Sequence, residues 1–138
     1  MRRRFQNSAT ASEKRKGVAA VEFAMCIPLF VLLLIGAIQT TDAIYLRNSL
    51  RVTAYETVRT AVVVGSDNAK AMARANQILA ARNVRNAVVV FDPPDITTAA
   101  PGQALTVTVS APADSNTIMP QWFFSGKTIS AKLIMSRE

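Results

Sequence analysis

The sequence predicts an α+β fold: a long N-terminal transmembrane helix that continues outside the membrane, a second helix, and a small three-stranded sheet, antiparallel by preference. Three observations predict it. Residues 23 to 38 run sixteen positions without a charge. Residues 40 to 64 contain neither glycine nor proline. After Asn83 apolar residues stop recurring at helical period and begin to alternate. With 138 residues, the chain suits one domain beside the apolar segment.

The first element is the apolar run. Allowing one charge, Glu22, it extends from Val18 to Ile38, twenty-one residues. At the helical rise of about 1.5 Å per residue it covers about 30 Å, one hydrocarbon thickness. Gln39 and Asp42 end it. Arg2, Arg3, Arg4, Lys14, Arg15 and Lys16 precede it against a single acid, Glu13. That asymmetry puts residues 1–17 in the cytoplasm and the chain beyond about residue 40 outside it. A cleaved secretory signal is the rival reading, but its apolar core should be about 7–15 residues long, and Gly36-Ala37 is a weak cleavage site. Pro28 removes an N–H donor and clashes with the preceding turn, so a kink near Ala24 to Pro28 is expected; membrane helices tolerate this. Cys26 lies inside the run and is read as apolar filler.

Beyond the run, Ala43, Leu50, Ala54, Val58 and Ala61 recur at spacings of seven, four, four and three, a small-residue face at helical period. One helix is expected from about Val18 to Val63, with a break near Gln39 to Asp42 as the alternative. Gly65-Ser66 should end it. Ser66 is the expected cap of a second helix over residues 67–82, with Asp67 at its positive end. Met72 and Leu79 mark its apolar face, Lys70 and Arg74 its solvated one. Ala87 to Phe91 reads as a strand stopped by Asp92-Pro93-Pro94. Pro101-Gly102 is a turn. Leu105, Val107 and Val109 alternate with polar neighbours, as do Ile129, Ala131, Leu133 and Met135, giving two half-buried strands. Residues 112–120 read as a loop. Trp122, Phe123 and Phe124 either plug the core or form a contact patch. Hiding the apolar face of the sheet against a helix is the simplest arrangement.

Composition excludes several functions. The net charge is +7, yet residues 1–17 hold +5 of it and the remainder, ten basic and eight acidic residues, only +2. A basic tail beside an apolar segment is not the folded basic face of a nucleic-acid reader. There is no histidine and one cysteine, so neither a Ser/His or Cys/His nucleophile nor a paired-cysteine metal pattern can be built. Asp92 and Asp95 flank two prolines and read as turn formers. No catalytic residue, cofactor site or metal site is assigned.

Glu22 is the position that requires explanation, because a carboxylate in lipid is costly unless it is paired. It can sit at the interface and reach the headgroups or Lys16. Alternatively, cleavage after Gly17 would free an ammonium at Val18 that a Glu22 carboxylate, its own or a neighbour's, can pair with. Glycine there suits a protease cleft that binds extended backbone.

The stretch from Gly17 through Val21 to Ala24 (V-E-F-A), Pro28, Leu29 and Gly36 resembles the TadE-like family of minor pseudopilins, from tight-adherence (Flp-type) pilus systems. Tyr45, Arg47-Asn48, Leu50 and Arg59 continue the likeness, and Met135 to Glu138 offers a comparable ending. Residues 58–63 depart from the family, which often has glycine and alanine around the arginine. The resemblance implies a structural protein and not an enzyme. Residues 1–17 would be a basic cytoplasmic leader, 18–39 the transmembrane helix and 40–138 an extracytoplasmic α+β domain. A prepilin peptidase would cut between Gly17 and Val18, and Glu22 would serve assembly. The implied partners are that peptidase, other pilins or pseudopilins, inner-membrane assembly proteins and the lipid bilayer, with no nucleic acid. The implied place is the inner membrane, single-pass, or a pilus. An uncleaved membrane-anchored binding domain is the alternative.

Overall fold

A computed structural model describes residues 6–118 and 125–137. Trp122, Phe123 and Phe124 lie outside the described residues. Along the chain the elements are α1 (Gln6–Val62), α2 (Asn68–Ala81), β1 (Val88–Asp92), a 3-10 turn (Ile96–Thr98), β2 (Ala104–Pro112), a second 3-10 turn (Asp114–Asn116) and β3 (Thr128–Ser136). The chain separates into two compact units, Met1–Ile38 and Gln39–Glu138.

α1 is longer than the sequence reading, which started it at Val18. It begins at Gln6 and is helical without interruption through Pro28 and through Gln39 to Asp42. The added turns contain only helix-compatible residues, with no proline and a single glycine at position 17. Pro28 leaves the Ala24 carbonyl without its intrahelical donor but does not end the helix.

In the second unit, the C-terminal part of α1 packs through Leu46, Leu50, Ala54, Val58 and Ala61. These stand three or four residues apart and so fall on one face. Ser49, Thr53 and Thr57 are buried on that face too. Each is small enough to let the helix approach its neighbours closely, and the Thr53 hydroxyl donates back to the Ser49 carbonyl at 2.9 Å.

Gly65, at φ +78°, follows the end of α1. Here the structure corrects the cap assignment. Asp67, not Ser66, is the N-cap of α2: its backbone is extended and its Oδ1 accepts the Lys70 N–H at 2.7 Å. Ser66 is instead buried, with its Oγ unpartnered. Ala71, Ala75 and Leu79 form the buried face of α2, with Met72 packed at the margin. Arg74, its side chain 41% exposed, stays on the solvated side of α2 and from there bridges to Glu56 of α1 at 2.9 Å. α2 closes with Asn83 at φ 54° while Val84 N–H reaches the Leu79 carbonyl, a Schellman-type ending.

The sheet has the order β1-β2-β3 with both pairs antiparallel. β1 reaches Asp92, one residue further than expected, because Asp92 pairs with Thr106. β2 takes in Pro112, and the expected loop after it contains the turn at Asp114–Asn116. The register aligns Val89, Val109 and Ala131 in one row and Phe91, Val107 and Leu133 in the next. These rows form the face that meets α1 and α2, and Val107 and Val109 at its centre are fully buried. Full burial of such a side chain contributes roughly 1.5–3 kcal/mol, so the central strand carries much of the core.

The connection between β1 and β2 is held from outside by Asn68 and by Arg137, whose guanidinium donates to the Ile96 carbonyl. Asn68 at the start of α2 donates to the Pro94 carbonyl at 2.6 Å and accepts the Ile96 N–H at 2.9 Å. Asp95 caps the 3-10 turn, accepting from both the N–H and the hydroxyl of Thr97. The same hydroxyl bond, the backbone bond and the Arg137 charge hold its carboxyl below the usual carboxylate range. That is the role the structure gives to this turn-forming acid.

Candidate processing and assembly segment

Gly17, Val18 and Glu22 all lie on α1. A residue and its fourth successor share a helix face, so Val18 and Glu22 stand one turn apart with about 6 Å of rise between them. The helix therefore brings the amide position of residue 18 and the carboxylate of residue 22 to the same side. Both side chains are exposed.

Gly17 is helical in α1, whereas a protease cleft binds extended backbone. A cleft that binds extended substrate must unwind this turn. Glycine weakens a helix interior by roughly 1 kcal/mol relative to alanine, so it eases that unwinding where another residue would resist it. A Cβ added at Gly17 meets nothing within 4 Å. Alanine there leaves the chain's own packing intact.

The apolar stretch that follows is exposed almost throughout. Phe23 is 65% exposed, Met25 76% and Leu34 64%. In a water-soluble fold, residues of this type would be the core. Among the described residues this is one helix long and apolar enough to cross a membrane, and its exposed apolar side chains are what lipid would cover.

Residues 17–59 match the family model described as TadE-like protein. The chain carries a TadE-like segment. The match opens at Gly17, includes Glu22 and the whole apolar stretch, and ends at Arg59 within α1. The TadE-like match, which covers less than half of the chain, and the exposed apolar helix support a pseudopilin-like membrane protein. α2 and the sheet lie beyond the matched residues, as does the ending at Met135 to Glu138. No curated protein and no solved structure matches the chain.

Of the other positions in the TadE-like segment, Leu50 is in the core, whereas Tyr45, Arg47 and Arg59 are exposed. Among the described residues, no cluster of three or more histidine, cysteine or acidic side chains is arranged to hold a metal. Sequence reasoning missed the contribution of Arg47 and Arg51. They line shallow depressions between α1 and β3, one with Ile129 and the other with Leu133. The only signal available was their spacing of four on one flank of the helix.

Proposed function

We propose that the protein is a minor pseudopilin-like structural subunit that acts in assembly of a tight-adherence type IV pilus and is processed by a prepilin peptidase. The observation that carries this reading is where the TadE-like match begins. It starts at the glycine before the apolar stretch and runs through the one acid inside it.

In this reading the basic residues hold positions 1–17 in the cytoplasm and the second unit lies outside it. The peptidase hydrolyses the Gly17–Val18 amide. The new ammonium on Val18 and the carboxylate of Glu22 then both lie at the membrane margin. Left alone, each is costly in lipid. Paired with the opposite group of a neighbouring helix, both are neutralised, and lateral packing of subunits becomes favourable. The folded unit from Gln39 onward presents its surface to other pilins or to inner-membrane assembly proteins. The protein acts through contacts and not through catalysis.

The test is the pair of variants Glu22→Gln and Glu22→Ala, expressed in cells with the assembly machinery. Both are expected to insert in the membrane and to be processed, but to lose co-purification with pilin-like partners. Partner recovery equal to wild type would favour an uncleaved, membrane-anchored binding domain instead.

A further inference from the structure

β3 is an edge strand of nine residues, Thr128 to Ser136. Arg137 N–H donates to the Gln103 carbonyl, and the Lys127 carbonyl accepts from Ala113, both at 2.9 Å. The register between these bonds is unbroken. In an antiparallel ladder such bonding residues alternate, so odd-numbered residues of β3 turn their backbone toward β2. Thr128, Ser130, Lys132, Ile134 and Ser136 turn theirs outward. No hydrogen bond from a described residue reaches that edge. The opposite edge, β1, has only five residues and is closed by two prolines.

Beside the open edge, α1 and β3 leave two depressions in a line. One, of about 380 Å³, is lined by Ile44, Arg47 and Ile129 among others. The second, of about 420 Å³, is lined by Arg51, Tyr55 and Leu133. Ile129 and Leu133 are four residues apart, about 13 Å along a strand. That is the spacing of every fourth residue of another extended chain laid beside β3.

The charges select the occupant. Arg47 and Arg51 stand at the lip of the groove and Lys132 on the strand itself. None of the three forms an ion pair with a described residue. The acids of this part of α1, Asp42 and Glu56, lie on the opposite flank, engaged with Ile118 N–H and Arg74. A second copy of β3 paired about a two-fold axis would set Lys132, at the strand's centre, against its own mate, and like charges directly opposite are destabilising.

We propose that the β3 edge and the adjoining groove receive an extended, acidic segment of a partner subunit, added to the sheet as a fourth strand. Its apolar residues share the face of Ile129 and Leu133 and enter the two depressions, its alternating carboxylates share the opposite face with Lys132, and the arginines at the lip of the groove add to the positive field that attracts them. Main-chain bonds supply affinity and the alternating side chains supply selection. The inference rests on the second unit alone and is independent of whether the chain is cut after Gly17.

The test uses the full chain in detergent micelles and a fluorescent seven-residue peptide alternating valine with aspartate. Fluorescence anisotropy is expected to show saturable binding. Amide exchange should slow at Ser130, Lys132 and Ile134 when the peptide is added. The double variant Arg51→Glu, Lys132→Glu alters exposed positions and should keep the wild-type melting curve while weakening binding about tenfold. A peptide with proline at its centre should lose binding, because it cannot complete the ladder. Several results would overturn the proposal: no binding; equal binding of a valine–lysine peptide; edge amides already protected without peptide; concentration-dependent dimerisation that protects β3; or retention of anionic vesicles, abolished by the double variant, with no peptide binding.

Discussion

Leu50 tests whether α1 is both a membrane helix and the lid of the folded unit. Its side chain is fully buried, in a cluster that includes Val107 and Val109 of the sheet. Leu32 is on the same helix but 51% exposed in the apolar stretch. Leu50→Ala removes buried methyl and methylene groups and leaves a cavity, which costs about 2–5 kcal/mol. The second unit has about a hundred residues, and for that size each kcal/mol lowers the midpoint by roughly 4–8 °C. A fall of roughly 8–40 °C is therefore expected, with the same protein in the same detergent. Leu32→Ala should leave the midpoint within a degree or two, since detergent covers that position before and after unfolding of the second unit. Near-ultraviolet circular dichroism on heating reads both variants. Equal shifts, or no shift at Leu50, would refute the packing of α1 on the sheet.

Three further outcomes follow from the same geometry. Asp67→Ala removes the acceptor for Lys70 N–H and should destabilise the start of α2 by about 1 kcal/mol, read as faster amide exchange there, while Asp67→Asn stays near wild type. The Asp95 carboxyl is held below its usual range by Thr97 and Arg137. Its stabilising contribution is complete above the unfolded value of about 3.9 and disappears as pH falls through the lower folded value. Melting curves between pH 5 and pH 2 should therefore fall less steeply for Asp95→Asn than for wild type. A double-mutant cycle on Glu56 and Arg74, which are only partly buried, should give a coupling below about 1 kcal/mol; a larger value would mean that the pair organises the α1–α2 contact.

Much of this fold is legible in local pattern. The small-residue face of α1 follows from Leu50, Ala54, Val58 and Ala61, and the sheet from the alternation around Val107 and Leu133. Leu46 completes the face at a spacing of three and four, and its signal was present between Ala43 and Leu50. Ser49, Thr53 and Thr57 were not legible as core, because a periodicity counted over apolar residues passes over hydroxyls that can bond to their own helix. The cap moved from Ser66 to Asp67 because both residue types cap well, and only the packing decides which one is buried.

Features that join distant residues left no local trace. Asn68 clamps the turn near Pro94 across 26 residues, and Arg74 reaches Glu56 across 18. The groove between α1 and β3 exists only once both elements are placed. The proposed processing and assembly segment is the reverse case. Its assignment to Gly17, Val18 and Glu22 is read from spacing and flanking charge. The fold adds that they share one helix, that a Cβ at Gly17 meets no neighbour, and that Val18 and Glu22 face the same side.

The most direct test of the account is the intact mass and terminal sequence of the mature protein from cells with an active prepilin peptidase, beside the Gly17→Ala variant. Because that alanine has free space around it, a block in processing would report peptidase recognition and not misfolding. The account predicts a wild-type chain beginning at Val18 and a variant that retains its leader. A wild-type chain that still carries residues 1–17 in the membrane would contradict it.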